Sequence, residues 1–293
     1  MSPAPHQHFI PVRQHEYDLA ATLASGQAFR WKNSGEAWEG IIGARWVRLR
    51  QNAEGIAVET AGTTTDTDWH WLAHYLQTDV DLEAVARTFP DDEPMRRAVA
   101  SCRGLRLLRQ EPWECLASFI LSSTKQIVQI QQIVALLCER FGEPLVVPPG
   151  HSPVFAFPTV ERLACCTESD LRDCKMGFRA PNLLRTAKLI AVGEVNLSLH
   201  SRPVDEALNA LLKFPGVGPK IANCVLLFAY GFPQAFPVDV WIMKALRELY
   251  FPKRRVSEKR IAHFAATHFG PHAGYAQQYL FHYMRTGRRE VES

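Results

Sequence analysis

The sequence predicts an α+β protein: an N-terminal antiparallel β-sheet domain with accompanying helices, followed by an all-helical domain about twice its size. Short apolar and aromatic runs separated by turn signals fill Phe9 to Glu59. Helical apolar spacing takes over from Gln110 onward. A third observation is the stretch Leu211 to Arg247, LLKFPGVGPKIANCVLLFAYGFPQAFPVDVWIMKALR, which joins a helix end, a Gly-rich turn, a helix, a Pro-rich connector and another helix. A chain of 293 residues with 47% hydrophobic content has room for two domains. We expect the sheet domain over 1–105 and the helical domain over 106–293, with the hairpin at 211–230.

Within the first domain, AFRW, WEGII, RWVRLRQ and GIAVET read as strands, separated by NSGE, GA and NAEG turns. The Thr-rich segment Thr63 to Thr67 leads into DWHWLAHYL, where Trp69, Leu72, Tyr75 and Leu76 share a helical face. Leu82 to Phe89 and Met95 to Cys102 read as short helices. In the second domain, one long amphipathic pattern runs from Pro112 to a C-cap at Gly142. Glu161 to Cys166, Ser169 to Lys175, Pro181 to Val192 and Val204 to Leu212 are further helices. Between the second and third of these, Met176 to Arg179 makes a break that is expected to expose an aromatic and a cation. Ala262 to Phe269 and the aromatic-rich YAQQYLFHYMR complete the helical domain.

A net charge of +3 permits nucleic-acid binding without requiring it, because the distribution of charge matters more than its sum. The seven cysteines, at 102, 115, 138, 165, 166, 174 and 224, are odd in number and scattered through helical patterns. They imply reduced thiols in an intracellular protein, not a disulfide framework. The N-terminal MSPAPHQHFIPVRQHEYD lacks the apolar core of a signal peptide. CVLLFAYGF, among the longest apolar runs, is too short to span a bilayer. The expectation is a soluble, monomeric protein of the cytoplasm or nucleoid (or the nucleus, in a eukaryote), with no membrane partner.

In the hairpin, Gly216 and Gly218 flank Val217 and allow positive φ or a close backbone approach. Pro219 suits a first helical position, so the turn presents backbone N–H groups to a phosphate. Lys220 is followed by apolar residues to Tyr230. Desolvation there would lower its pKa and expose a nucleophilic amine. Cys224 shares its helix face, and Asp239, in PVDVW, opens the next helix. Singly, each piece has a plain structural reading: a helix connector, a solvated lysine, an N-cap. The ordered combination is far more specific, and it resembles the helix-hairpin-helix-GPD superfamily of DNA glycosylases. Within that superfamily the lysine marks the bifunctional branch, and KIANC resembles the 8-oxoguanine DNA glycosylase family.

The resemblance implies a TBP-like N-terminal sheet domain and a helix-hairpin-helix glycosylase domain. SGQAFRW, Ser25 to Trp31, matches the segment whose glycine carbonyl meets the flipped base, which makes Gly26 that position. AGYAQ-x-x-LF resembles the base-reading helix, with Gln277 on the Watson–Crick edge and Phe281 stacked on one face of the base while Cys224 touches the other. GFRA resembles the family's aromatic-Arg pair, so Phe178 is a candidate wedge and Arg179 a donor to the orphaned base. Ser122 to Gln126 replaces the family's Asn-rich run, which puts Thr124 among the DNA contacts, and Gln129 stands where eukaryotic members carry a second arginine. Trp241 occupies the place of a family histidine near the lesion phosphate. Carbonyls of Leu212, Phe214 and Val217 would hold a structural potassium or sodium ion, and Gly216 and Gly218 would grip phosphate. No cysteine follows Cys224, so an iron–sulfur cluster like that of the endonuclease III branch is not expected.

The implied reaction is excision of 8-oxoguanine, or a closely related oxidised purine, from double-stranded DNA by base flipping, a Schiff base on Lys220 and β-elimination, with Lys220 and Asp239 catalytic and no redox cofactor or catalytic metal required. Three other readings remain at this point: a monofunctional alkyl-base glycosylase, a noncatalytic DNA-binding module that uses the hairpin only for phosphate, and a structural or protein-interaction role with the basic surface incidental.

Overall fold

A computed structural model describes residues 6–13, 15–61, 68–122, 126–252 and 256–291. The N-terminal half builds β1 (His6–Pro11), α1 (Leu19–Ala24), β2 (Lys32–Ser34), β3 (Ala37–Ile42), β4 (Arg45–Gln51) and β5 (Gly55–Thr60). The strands form an antiparallel sheet in the order β1-β5-β4-β3-β2, a meander whose far edge is closed by the first strand. At the β4–β5 turn the Asn52 carboxamide oxygen accepts the N–H groups of Glu54 and Gly55, each at 2.9 Å. α2 (His70–Leu76) packs Leu72, Tyr75 and Leu76 against Val47, Leu49, Ile56 and Val58 of the sheet. Alternation puts those strand residues on one face. The opposite face carries Trp46 and Ile41, which bury under Leu145, Val147 and Val154.

α3 (Leu82–Ala86) and α4 (Glu93–Ser101) follow, capped by Asp81 and Asp92. The helical part continues with α5 (Pro112–Leu121), α6 (Ile127–Phe141), α7 (Val160–Ala164), α8 (Glu168–Leu171), α9 (Ala180–Ala191), α10 (Val204–Leu211), α11 (Pro219–Val225), α12 (Val240–Ala245), α13 (Glu258–His268) and α14 (Ala273–Val291). One continuous core holds Met95, Leu116, Ile133, Leu183, Leu211, Val225, Ile261 and Leu280. Burial of this apolar surface is the main source of stability. No helix among the described residues is long and apolar enough to cross a membrane.

Three expectations are corrected. AFRW is not a strand. Gln27 is fully buried, and its side chain takes over the hydrogen bonding that a ladder would supply, accepting Leu108 N–H at 2.7 Å while donating to the Arg106 carbonyl at 2.8 Å. Gln110 in turn donates to the Gln27 carbonyl at 2.7 Å. The pattern from Pro112 to Gly142 is two helices: α5 is buried on nearly every side, and the chain turns at Ser122 before α6 starts from Gln126. Arg179 is not an exposed cation. It is 2% exposed, with its guanidinium 4.3 Å from the ring centroid of Phe178, and Phe178 is 65% exposed.

Long-range polar contacts fix the sheet part on the helical part. The Arg106 guanidinium donates to the carbonyls of Gln77 and Val80, each at 2.7 Å. Asp92, besides capping α4, holds His268 Nε2 at 2.7 Å and the Tyr250 hydroxyl at 3.1 Å. α14 packs along α4, and Gln278 Nε2 donates to the Ser25 carbonyl at 3.1 Å. This last contact sets the SGQ turn over the helical domain.

Candidate active site

The hairpin is built by local backbone bonds. Val217 N–H donates to the Phe214 carbonyl at 3.1 Å, and Ala222 N–H to the Gly218 carbonyl at 3.0 Å. Gly216 has φ +75, and a Cβ there would overlap the Asn182 side chain of α9. A side chain at this position would therefore be both strained and obstructed. Leu212 is partly exposed, whereas Phe214 and Val217 are buried by their side chains. Lys220 lies in the first turn of α11 and is half-buried.

Asp239 is delivered to the same place by the connector. Asn223 Nδ2 donates to the Pro219 carbonyl at 2.8 Å, and its Oδ1 accepts Phe236 N–H at 3.2 Å. Gly274 N–H donates to the Pro233 carbonyl at 2.8 Å, which ties the connector to α14. Asp239 then caps α12, accepting Ile242 N–H at 2.8 Å.

Lys220, Cys224, Asp239, Gly26, Gln277 and Phe281 line one pocket, completed by Ser25, Phe119, Phe228, Pro237 and Gln278. Burial pushes the Asp239 carboxyl above the usual carboxylate range, opposed by the Ile242 N–H and then by Lys220. Burial pushes the Cys224 thiol up to about 11, against the pull of Lys220. The thiol is thus held as a neutral wall. Gln277 is 4% exposed, and its Oε1 has no hydrogen-bond partner among the described residues. A buried acceptor without a partner is costly to maintain, and such an atom at a pocket wall suits a ligand donor.

Gly26 has φ +79, and a Cβ there would lie 2.7 Å from Ile127 Cδ1 and 3.3 Å from Arg285 Nη1. The Lys220 nitrogen lies 5.2 Å from the Phe119 ring centroid, and Phe119 stacks on Phe228. Arg285 went unnoticed in the sequence. Its guanidinium lies 5.5 Å from the Phe281 ring centroid and donates to the Ala24 carbonyl at 3.4 Å. Burial lowers its pKa and Asp239 opposes that shift. Asn223 and Phe119 were missed as well, since each reads as an ordinary helix residue.

The remaining DNA-contact candidates among the described residues do not line this pocket. Phe178 projects from a turn in which Lys175 adopts φ +63, an uncommon backbone for a residue with a side chain. Gln129 is exposed, and its Oε1 accepts Gln126 N–H at 3.1 Å as part of a capping box. Trp241 is 39% exposed in the first turn of α12. Thr124 lies outside the described residues. A broader concavity on the sheet is lined by Phe9, Arg48 and Arg50, but Arg48 is already paired with Glu39 and Glu59 at 3.6 and 3.7 Å. Among the described residues no group of three or more His, Cys, Asp or Glu side chains could hold a metal ion.

Residues 9–116 match the family model "8-oxoguanine DNA glycosylase, N-terminal domain", and residues 117–269 match that of the HhH-GPD superfamily base excision DNA repair proteins. The N-glycosylase/DNA lyase OGG1 of Arabidopsis thaliana is 31% identical over 93% of this chain and 78% of its own length. The N-glycosylase/DNA lyase of Saccharomyces cerevisiae is 30% identical over 82% of this chain and 70% of its own. The 8-oxoguanine glycosylase/lyase of Clostridium acetobutylicum, crystallised with double-stranded DNA containing cytosine opposite 8-oxoguanine, superposes with a TM-score of 0.88 at 32% identity, covering 98% of this chain and 99% of that one. With one family model across more than half its length and such relatives across nearly all of it, the chain belongs to the HhH-GPD superfamily of base excision DNA repair proteins, in its 8-oxoguanine DNA glycosylase family.

Proposed function

We propose that this protein is a bifunctional DNA glycosylase and AP lyase that removes 8-oxoguanine from duplex DNA in base excision repair. The damaged nucleotide leaves the stack, because its glycosidic carbon is out of reach inside a duplex. Phe178 wedges into the space it leaves, with Arg179 backing its ring from a buried position and Thr124, Gln129 and Trp241 contributing to the grip on DNA. The base enters between Cys224 and Phe281, its edge on Gln277 and its N7 proton on the Gly26 carbonyl. Guanine carries no proton on N7, so one acceptor separates the oxidised base from the normal one.

The C1′–N9 bond breaks with its electron pair leaving on the base, and the Asp239 carboxylate stabilises the positive charge that develops on the sugar. The neutral amine of Lys220 bonds to C1′, and as the C1′–O4′ bond breaks one amine proton passes to the ring oxygen, leaving a protonated Schiff base. Loss of a C2′ proton then expels the 3′ phosphate and cuts the strand. An amine and a carboxylate carry these steps, and no redox cofactor enters them. The backbone of Gly216 and Gly218 holds a DNA phosphate. The carbonyls of Leu212, Phe214 and Val217 are oxygen donors suited to a hard monovalent cation, potassium or sodium. The sheet part, 1–105, supplies the Gly26 wall and the helical part, 106–293, the chemistry. Such work places the protein with the cell's DNA, in the cytoplasm or nucleoid, or in the nucleus of a eukaryote.

The observation that carries this proposal is that Lys220 and Asp239 line one pocket with Gly26, Cys224, Gln277 and Phe281. The test is Lys220→Gln on an 8-oxoguanine duplex. Borohydride trapping and strand cleavage are expected to vanish while DNA binding persists, and normal cleavage by the variant would refute it.

A further inference from the structure

α5 ends beside the lysine. Ser122 closes its last turn, donating its N–H to the Phe119 carbonyl at 3.1 Å and its hydroxyl to the same carbonyl at 2.7 Å. A serine hydroxyl has one proton, so with that proton committed the oxygen meets Lys220 Nζ, 3.1 Å away, as an acceptor. Ser122 is buried, and it is not among the residues that line the pocket. The contact therefore holds the nitrogen through a residue outside the pocket wall. The Phe119 ring, from the same helical turn, bounds that nitrogen at 5.2 Å.

A four-carbon stem with many rotamers does not aim its own nitrogen. A neutral amine has two hydrogens and one lone pair in a tetrahedral arrangement, so fixing one N–H on the Ser122 oxygen keeps the lone pair off that direction and leaves it free to face the pocket. We propose that Ser122 is the positioning residue for Lys220, its hydroxyl oxygen holding one N–H so that the lone pair faces the pocket. The inference rests on Lys220 being the nucleophile of the function proposed above. Orientation of a nucleophile acts on the bond-forming step, so loss of the hydroxyl slows adduct formation and leaves the grip on DNA intact.

The experiment is single-turnover borohydride trapping on duplexes carrying 8-oxoguanine or a preformed abasic site, with Kd measured in parallel, for the wild type, Ser122→Ala and Ser122→Thr. Ser122→Ala is expected to trap about tenfold more slowly on both duplexes, with Kd within about twofold of wild type. Ser122→Thr keeps the hydroxyl and recovers most of the rate. A Ser122→Ala rate within about twofold of wild type overturns the inference, as does a loss that tracks weaker DNA binding or that Ser122→Thr fails to recover. If the wild type itself forms no adduct on either duplex, the function proposed above fails and the inference falls with it.

Discussion

Lys220 opposes the upward push that burial exerts on the Asp239 carboxyl, although the two arise from different helices. The consequence appears in both activity and stability. A carboxyl whose folded pKa lies above its unfolded one favours the protonated form in the native state, so the fold loses stability as pH rises through that value. Asp239→Asn is expected to leave the melting temperature at neutral pH unchanged or raised, since asparagine still caps α12. Base release should fall by about a hundredfold or more. In the wild type the acid limb of the rate profile should lie above the ordinary carboxylate range. Calorimetry and a pH–rate series check both, and a variant that melts several degrees lower would contradict the balance described.

Gln277 combines burial with an oxygen that has no partner among the described residues, a cost that a donor on a bound ligand would relieve. Gln277→Leu removes an unsatisfied acceptor worth about 1–3 kcal/mol. Denaturant titration should therefore show a free protein no less stable than wild type, while excision of 8-oxoguanine slows at least about tenfold. A variant that is both destabilised and fully active would exclude the assigned role.

At Gly26 the expectation runs the other way. An alanine would carry a methyl at φ +79, 2.7 Å from Ile127 Cδ1. Gly26→Ala should lose about 1–2 kcal/mol of stability from the left-handed backbone alone. It should also weaken the preference for 8-oxoguanine over guanine, read as the ratio of kcat/KM on matched duplexes. An unchanged ratio would remove the carbonyl from base recognition.

Phe178 is 65% exposed, so Phe178→Ala gives up little packing in the free protein. Its melting temperature should match wild type, and its excision rate should drop on a fully paired duplex. That drop should shrink when the lesion faces a mismatch, where unstacking is less costly. An equal deficit on both duplexes would argue against a wedge.

The hairpin, the lysine and the aspartate were legible because each is marked locally. Glycines flank Val217, proline opens α11, apolar residues follow Lys220, and Asp239 stands at an N-cap. Strands β3, β4 and β5 were legible for the same reason, through alternation and an Asx turn at Asn52, whereas β1 and β2 were not read as strands. Helix α1 was overlooked because six residues, LAATLA, are too few to establish a period, and AFRW was misread because a buried glutamine side chain took the place of a neighbouring strand. The exposure expected of Arg179 failed because its guanidinium settles beside the Phe178 ring in a buried position.

By itself, then, the sequence determined the two-part α+β order, the place of the hairpin and the family, all of which rest on spacings within a few turns of chain. Only the tertiary structure decided that Ser122 meets Lys220 across 98 positions, that Gln278 holds Ser25 across 253, and that Arg285 backs Phe281 at the rim of the pocket. Side-chain hydrogen bonds between distant segments leave no periodic trace in the sequence, because each depends on where two independently formed elements come to rest.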